Sequence, residues 1–336
     1  MLDISQLEKI DIQKMYAVYD KWPQIALESY ESNQKPIEFA KINHIVFAGM
    51  GGSGAIGDMF SSILSKTKIH VDVVKGYELP QTVDADTVVV CISVSGNTSE
   101  TLSIIESAHK LGCKIIAFSS GGRMQEYCTK NQIEYRFIKQ HHSPRASFTS
   151  FLYTILKVLR SSLGIKESDV IESISQLQNT GEKINSLNLN EGNFAVEIAK
   201  WINGIPVIYY PYGLQSAAIR FKNSLQENSK MHVITEDVIE VCHNGIVAWE
   251  KLSNANPILI QGQDDHIKTK ERWDILEKYF LKNNIRFKKI VSINGSILSK
   301  LINLIYLLDF ATIYKSVLDE VDPSSIKSIE YIKSQL

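Results

Sequence analysis

Short apolar runs alternate with longer amphipathic ones along the first half of this chain. Asn43 to Ala48, Lys68 to Val74, Thr87 to Ile92, Lys114 to Phe118 and Tyr135 to Ile138 have the length and β-branched content of strands. Val88 to Ile92 is apolar at every position, as a strand covered on both faces requires. Between the runs the apolar positions spread to helical spacing. A glycine-rich turn from Gly49 to Gly57 leads into a helix through Leu64, and Leu102, Ile105 and Leu111 mark another after Ser99. Ser119-Ser120-Gly121-Gly122 turns the chain into a short helix, and a long one runs from Ala146 to Leu159. Asn97, with Glu100 three residues on, predicts a capping box where the helix after Ser99 begins. Such alternation predicts a parallel sheet with helices on both faces.

The pattern fades over residues 161–192, a polar stretch that reads as a helical or partly irregular connector, and then resumes. Pro206 to Tyr210, Met231 to Thr235, Pro257 to Gln261 and Arg286 to Val291 are strand-like. Leu214 to Gln226, Thr269 to Leu281 and Ile297 to Leu318 are helical. Tyr210-Pro211-Tyr212-Gly213 takes the same strand-to-helix place as Ala48-Gly49-Met50-Gly51, so two similar α/β halves are expected. Asp322-Pro323 stops the long helix, and a last short one, with Ile326, Ile329 and Ile332 on one side, ends the chain. The predicted division is an N-terminal domain with leading helices over 1–160, the connector, a C-terminal domain over 193–320 and a helical tail over 321–336.

Charge narrows the partners. The 36 basic and 37 acidic residues leave a net charge of −1, without the basic footprint of a nucleic-acid binder. Lys268, Lys270 and Arg272 are interleaved with Glu271 and Asp274, a solvated helix face. Cys91, Cys113, Cys128 and Cys242 form no C-x-x-C pair and suggest neither disulfides nor zinc. Met1 to Ile10 does not read as a signal peptide, and Leu298 to Tyr314 is broken by Lys300, Asn303 and Asp309, as in a buried helix rather than a membrane span. A soluble, cytoplasmic protein is expected. Trp22, Trp201, Trp249 and Trp273 are expected in cores or at an interface between subunits.

The chemistry concentrates at Ser93-Val94-Ser95-Gly96-Asn97-Thr98-Ser99-Glu100-Thr101. The hydroxyls of Ser93, Ser95 and Thr98 fall between a strand's carboxyl end and a helix's amino end, where free N–H groups and the helix dipole favour an anion. With no Lys or Arg in the segment, neutral donors would hold a small phosphomonoester that must be released after turnover. A serine-rich turn with a good cap has the same local sequence. Upstream, Gly49-Met50-Gly51-Gly52-Ser53-Gly54 matches G-x-G-x-x-G, with Asp72 near the place of a ribose-binding acid. Asp72 sits in mid-strand, however, and Gly52 with Ser53 suits a compact sugar phosphate better than a dinucleotide. His141-His142 and Asp264-Asp265-His266 invite a metal reading but lack spaced partners, so neither metal nor cofactor is expected.

Together these motifs, with Gly57-Asp58, Pro144-Arg145-Ala146, Glu227-Asn228, His243-Asn244 and the tail from Asp322-Pro323 to Lys333, resemble the bifunctional phosphoglucose/phosphomannose isomerases. That family is built from two sugar isomerase (SIS) domains, flavodoxin-like parallel sheets with helices on both faces. The resemblance implies interconversion of glucose 6-phosphate and mannose 6-phosphate with fructose 6-phosphate through a cis-enediolate, without a metal. It implies Glu227 as the base, a residue type whose pKa partial burial can bring towards the working pH. Arg145 would stabilise the enediolate, and His243, assisted by Lys333, would open the sugar ring. Ser53, Ser93, Ser95 and Thr98 would hold the phosphate, with Gly51 and Gly52 beside the sugar. In the family the histidine comes from the partner subunit, which implies a homodimer. Here Val241-Cys242-His243-Asn244-Gly245 replaces the family's Leu-Asn-His-Asn-Glu, so an amide and a carboxylate beside the histidine are missing. A SIS module that senses a phosphosugar without converting it is the alternative, although no helix-turn-helix or basic segment for signalling is apparent.

Overall fold

The computed structural model describes residues 2–335, in two compact units. One comprises residues 21–175; the other joins the residues up to 20 with those from 176 onward. The chain opens on α1 (Ile4–Ile10), closed by an Asp3–Gln6 capping box, and α2 (Met15–Asp20). The sequence pattern groups these helices with the first domain, whereas the structure packs them in the second unit. The Tyr19 hydroxyl donates to Asp309 (3.1 Å) and its carbonyl accepts from the Tyr306 hydroxyl (2.9 Å). Amphipathic spacing shows that a helix covers a core; it does not show which one.

The unit of residues 21–175 holds α3 (Trp22–Tyr30), β1 (His44–Ala48), α4 (Gly52–Leu64), β2 (His70–Val74), β3 (Val88–Ser93), α5 (Ser99–Lys110), β4 (Lys114–Ser119), α6 (Gly122–Asn131), β5 (Glu134–Phe137) and α7 (Phe148–Leu159). Its strands are all parallel in the order β2-β1-β3-β4-β5. Successive side chains leave opposite faces of a strand, so the continuous apolar runs feed two cores. Val46, Ala48, Val89, Cys91 and Ala117 pack with Leu102 and Ile105 of α5 and Met124 of α6. Phe47 points the other way and stacks on Phe60 of α4, ring centroids 4.9 Å apart. The predicted strands hold to within two residues. The predicted cap does not: Thr98, not Asn97, is the N-cap of α5. The Asn97 side chain instead accepts from the Arg123 N–H (3.0 Å) and donates to the Ser95 carbonyl (3.2 Å), tying the loop to the start of α6. Leu111 follows the helix and is exposed rather than on its apolar face.

Most of the predicted connector is helical, forming α8 (Glu167–Ile184), and the division between the units falls within it. Beyond it lie α9 (Phe194–Trp201), β6 (Ile205–Tyr210), α10 (Gln215–Ser229), β7 (Ile234–Asp237), α11 (Val238–Val241), a 3₁₀ turn over Gly245–Glu250, β8 (Ala255–Gln261), α12 (Ile267–Lys282), β9 (Lys288–Val291), α13 (Ile297–Leu318) and α14 (Lys327–Ser334). This second sheet is also parallel, in the order β7-β6-β8-β9. Val207, Tyr209 and Leu259 pack on one face with Val238, Trp273, Leu276 and Phe280. β7 starts later than its apolar residues suggest, because Lys230 ends α10 in the left-handed conformation (φ 55°) and the Met231 N–H still bonds back to Leu225. α13 has the length and apolarity to cross a membrane, but it is buried within its own unit against α9 and α10. Its one fully buried charge, Asp309, accepts from Arg220 Nη2 (2.6 Å), Arg220 Nε (3.0 Å) and the Ser224 hydroxyl (2.7 Å). Burial works against the Arg220 charge, yet Asp309, with Tyr19 and Glu227, more than offsets it and holds the guanidinium above its ordinary pKa.

Candidate active site

β1 and β3 are neighbours, yet the chain leaves them in opposite directions, β1 towards β2 and β3 towards β4. Such a reversal opens a crevice beyond the carboxyl ends of the strands, where open parallel sheets take ligands. The loop from Gly49 leaves β1 there and the loop from Val94 leaves β3. A hydrogen bond from the Val94 N–H to Ser53 Oγ (3.3 Å) joins them. Ser93 Oγ accepts from the Gly96 N–H (3.1 Å) and lies 2.9 Å from Thr98 Oγ1, while the Asn97 N–H donates to Ser95 Oγ (3.2 Å). Ser53 and Ser93 are buried, Thr98 is half-buried and Ser95 is exposed. The predicted hydroxyls thus form one group, in which the two buried serines brace the turn and the other two remain accessible. Thr98 caps α5 without spending its hydroxyl on the helix N–H groups.

Arg145 belongs to the same unit. A Cβ placed on Gly52 would stand 3.1 Å from the Pro144 carbonyl oxygen and 3.3 Å from the Arg145 Cα, so this segment lies directly on the glycine loop. A side chain there would push the segment back by a few tenths of an ångström. Arg145 is 4% exposed. Ser147, which the sequence reading passed over, staples the segment: its Oγ accepts from the His141 N–H (2.8 Å) and lies within donating distance of the carbonyls of Ser143 (2.9 Å) and His141 (3.0 Å). The Trp22 indole N–H holds the Ala146 carbonyl (2.9 Å). A charged guanidinium on a loop fixed at both ends is a preorganised donor.

Glu227, in the second unit, is half-buried in the last turn of α10. Its charge is felt by Arg220, seven residues earlier on that helix. The neighbouring residues anchor the turn to α13: Asn228 Nδ2 donates to Thr312 Oγ1 (2.8 Å) and the Ser229 hydroxyl to the Thr312 carbonyl (2.9 Å). Lys230 is a second residue that the sequence did not single out. Its ammonium donates to the carbonyls of Glu227, Ser325 (2.8 Å) and Asp322 (3.1 Å), binding the end of α10 to the segment that precedes α14. No motif could have revealed it, since two of the carbonyls it caps lie 92 and 95 residues away in sequence. Lys333 is exposed on α14. His243 is exposed in the turn between α11 and the 3₁₀ segment, which Asn244 caps through the Gly245 N–H.

The rival readings find different employment. Asp72 faces Val46 in the register of β1 and β2 and pairs with His44 (2.8 Å), while the strand's carboxyl end carries Lys75, paired with Asp58 (2.6 Å). A ribose-binding acid is therefore absent from the place where a dinucleotide needs it. Asp264 pairs with Lys300, Asp265 accepts from the Gly262 N–H and the Trp273 indole (2.9 Å each), and His266 caps α12. These three build a loop and share no ligand position. Cys91, Cys113, Cys128 and Cys242 are free thiols.

The SIS domain family matches residues 38–154, and the family described as the bacterial phospho-glucose isomerase C-terminal SIS domain matches residues 191–336. The chain is 32% identical to the bifunctional phosphoglucose/phosphomannose isomerase of Caldicellulosiruptor bescii, over 88% of this chain and 90% of that protein. It is 33% identical to the protein of the same name from Aquifex aeolicus, over 87% and 90%. Among solved structures it is similar in fold to the C-terminal domain of glucosamine-fructose-6-phosphate aminotransferase from Francisella tularensis, with a TM-score of 0.68 and 14% identity over 92% of this chain and 96% of that one.

Proposed function

This chain belongs to the family of bifunctional phosphoglucose/phosphomannose isomerases, and we propose that it interconverts glucose 6-phosphate and mannose 6-phosphate with fructose 6-phosphate. The observation that carries this reading is the braced pair of loops at the β1–β3 crevice, a cradle of neutral donors. Ser95 and Thr98 donate to the phosphate, Ser53 and Ser93 hold the turn in shape around it, and the N–H groups of Gly51 and Gly52 lie towards the sugar. Neutral donors bind a dianion without the grip of a lysine cluster, which suits a product that must leave.

The reaction moves the aldose C2 proton to C1 while the carbonyl passes from C1 to C2. Glu227 takes that proton and returns it, and Arg145 stabilises the oxygen charge of the cis-enediolate. Glucose and mannose 6-phosphates differ only at C2, so both give the same enediolate and one set of groups serves both. The electron pair stays within the substrate, and the route needs no cofactor. His243, supplied by the partner subunit of a homodimer, passes the proton that opens the ring, with Lys333 assisting. Four free thiols fit a reducing compartment, and we place the enzyme in the cytoplasm.

Turnover of fructose 6-phosphate in heavy water is expected to leave deuterium at C2 of both aldose products. Glu227→Gln is expected to lower kcat by about 10²–10⁴-fold, the usual contribution of a general base, with an unchanged circular dichroism spectrum. Failure of the wild-type chain to convert either hexose phosphate would overturn the function, and normal activity of the variant would overturn the base.

A further inference from the structure

The other end of the first sheet carries a second chemical grouping. His44 opens β1 and His70 opens β2, and the two are partners in the parallel register. Asp72 lies two residues beyond His70, hence on the same face of β2. Asp72 Oδ2 lies 2.8 Å from His44 Nε2 and 3.4 Å from His70 Nε2. All three ligand atoms fall within 4.8 Å of one another, and among the described residues this is the one group of three such side chains. Bonds of about 2.0–2.1 Å in tetrahedral array put neighbouring ligand atoms about 3.3 Å apart, near the two spacings that Asp72 makes with the histidines.

The next shell fixes the ring. The Thr87 hydroxyl donates to Asp84 Oδ1 (2.9 Å) and lies 3.3 Å from His44 Nδ1. With Nδ1 turned towards Thr87, Nε2 faces the Asp72 carboxylate at 2.8 Å. An imidazole whose second nitrogen is hydrogen-bonded outward is the usual arrangement of a metal-bound histidine. The His70 side chain is 64% exposed, which leaves an entry path and room for water in the remaining coordination positions.

We propose that His44, His70 and Asp72 form a site for a divalent transition metal of the zinc, cobalt or nickel type, clamping the amino ends of β1 and β2. Two imidazoles and one carboxylate suit those ions better than magnesium or calcium, which prefer all-oxygen shells. The site lies at the opposite strand ends from the phosphate loops, so the ion stabilises the unit of residues 21–175 and takes no part in isomerisation. It tethers β2, the edge strand of the sheet, to its only neighbour. This inference does not depend on the isomerase reading.

The test titrates the EDTA-treated full-length protein with Zn²⁺ by calorimetry, follows Co²⁺ by its visible absorption, and records the melting temperature with and without Zn²⁺. Expected are one equivalent bound, a cobalt spectrum with imidazole ligation and a melting temperature raised by the metal. His70→Ala and Asp72→Asn, both at exposed or half-exposed positions, should each lose the stoichiometric binding and the thermal shift while keeping hexose phosphate isomerisation. Absence of saturable binding to the wild-type chain would overturn the site, as would stoichiometric binding that survives in the double variant H70A/D72N.

Discussion

Gly96 shows how much of the proposed phosphate loop rests on one residue. Its φ is +69°, and a Cβ there would stand 1.8 Å from the Gly121 carbonyl oxygen, where backbone must move to admit it. Gly96→Ala is expected to raise KM for hexose 6-phosphates about five- to thirtyfold, since left-handed strain alone costs about 1–2 kcal/mol. Steady-state kinetics beside a thermal melt separates loss of the loop from loss of the fold. His141 carries the clearest pH signature. Burial, and then the charge of Lys139, lower its pKa below the ordinary 6.5, with Glu28 opposing. The unfolded chain therefore binds the proton more readily than the folded one. The contribution is fully present above pH 6.5 and is lost as pH falls through the lowered folded value. His141→Gln should flatten the decline of the urea midpoint between about pH 7 and 5 relative to wild type. The grouping of Ser93, Ser95 and Thr98 was legible because all three lie between the end of β3 and the start of α5. Asn97 was misread as a cap because the α6 backbone that claims its side chain lies 26 residues away.

The end of α10 carries the proposed base, Glu227. Asn228 and Ser229 bolt it to α13, and Lys230 bolts the tail to it in turn. Lys230 also occupies a left-handed position, φ 55°, which asparagine tolerates better than most side chains. Lys230→Asn therefore removes the ammonium with the least backbone strain. It should expose residues beyond Asp322 to limited proteolysis and lower kcat, while the circular dichroism of the variant stays that of the wild type. Unchanged proteolysis would show that the tail is held by other means. The helices themselves were readable from spacing, α13 above all, since a helix apolar all round must be buried. The extent of β7 was not, because the αL residue that delays it has no signature in a run as apolar as Met231 to Thr235.

For the whole molecule the open prediction is the shared site of a dimer. Glu227→Gln and His243→Asn chains, each inactive alone, are mixed after subunit exchange. If His243 serves the partner's substrate, each mixed dimer keeps one intact site, and an equimolar mixture recovers about a quarter of wild-type activity by two-fold symmetry. If both residues serve the same subunit, every site carries a lesion and no activity returns. Alternating strand and helix patterns determined two parallel α/β sheets, because local periodicity decides which face of each element is greasy. Turn chemistry marked the loops after β1 and β3, because hydroxyls and glycines act within a few residues of one another. Only the tertiary structure decided that α1 and α2 belong to the second unit, that Pro144 and Arg145 rest on Gly52, and that His44 meets His70 and Asp72. Each of those contacts joins residues far apart in the chain, and their meeting depends on strand order, register and close approach, which no local pattern encodes.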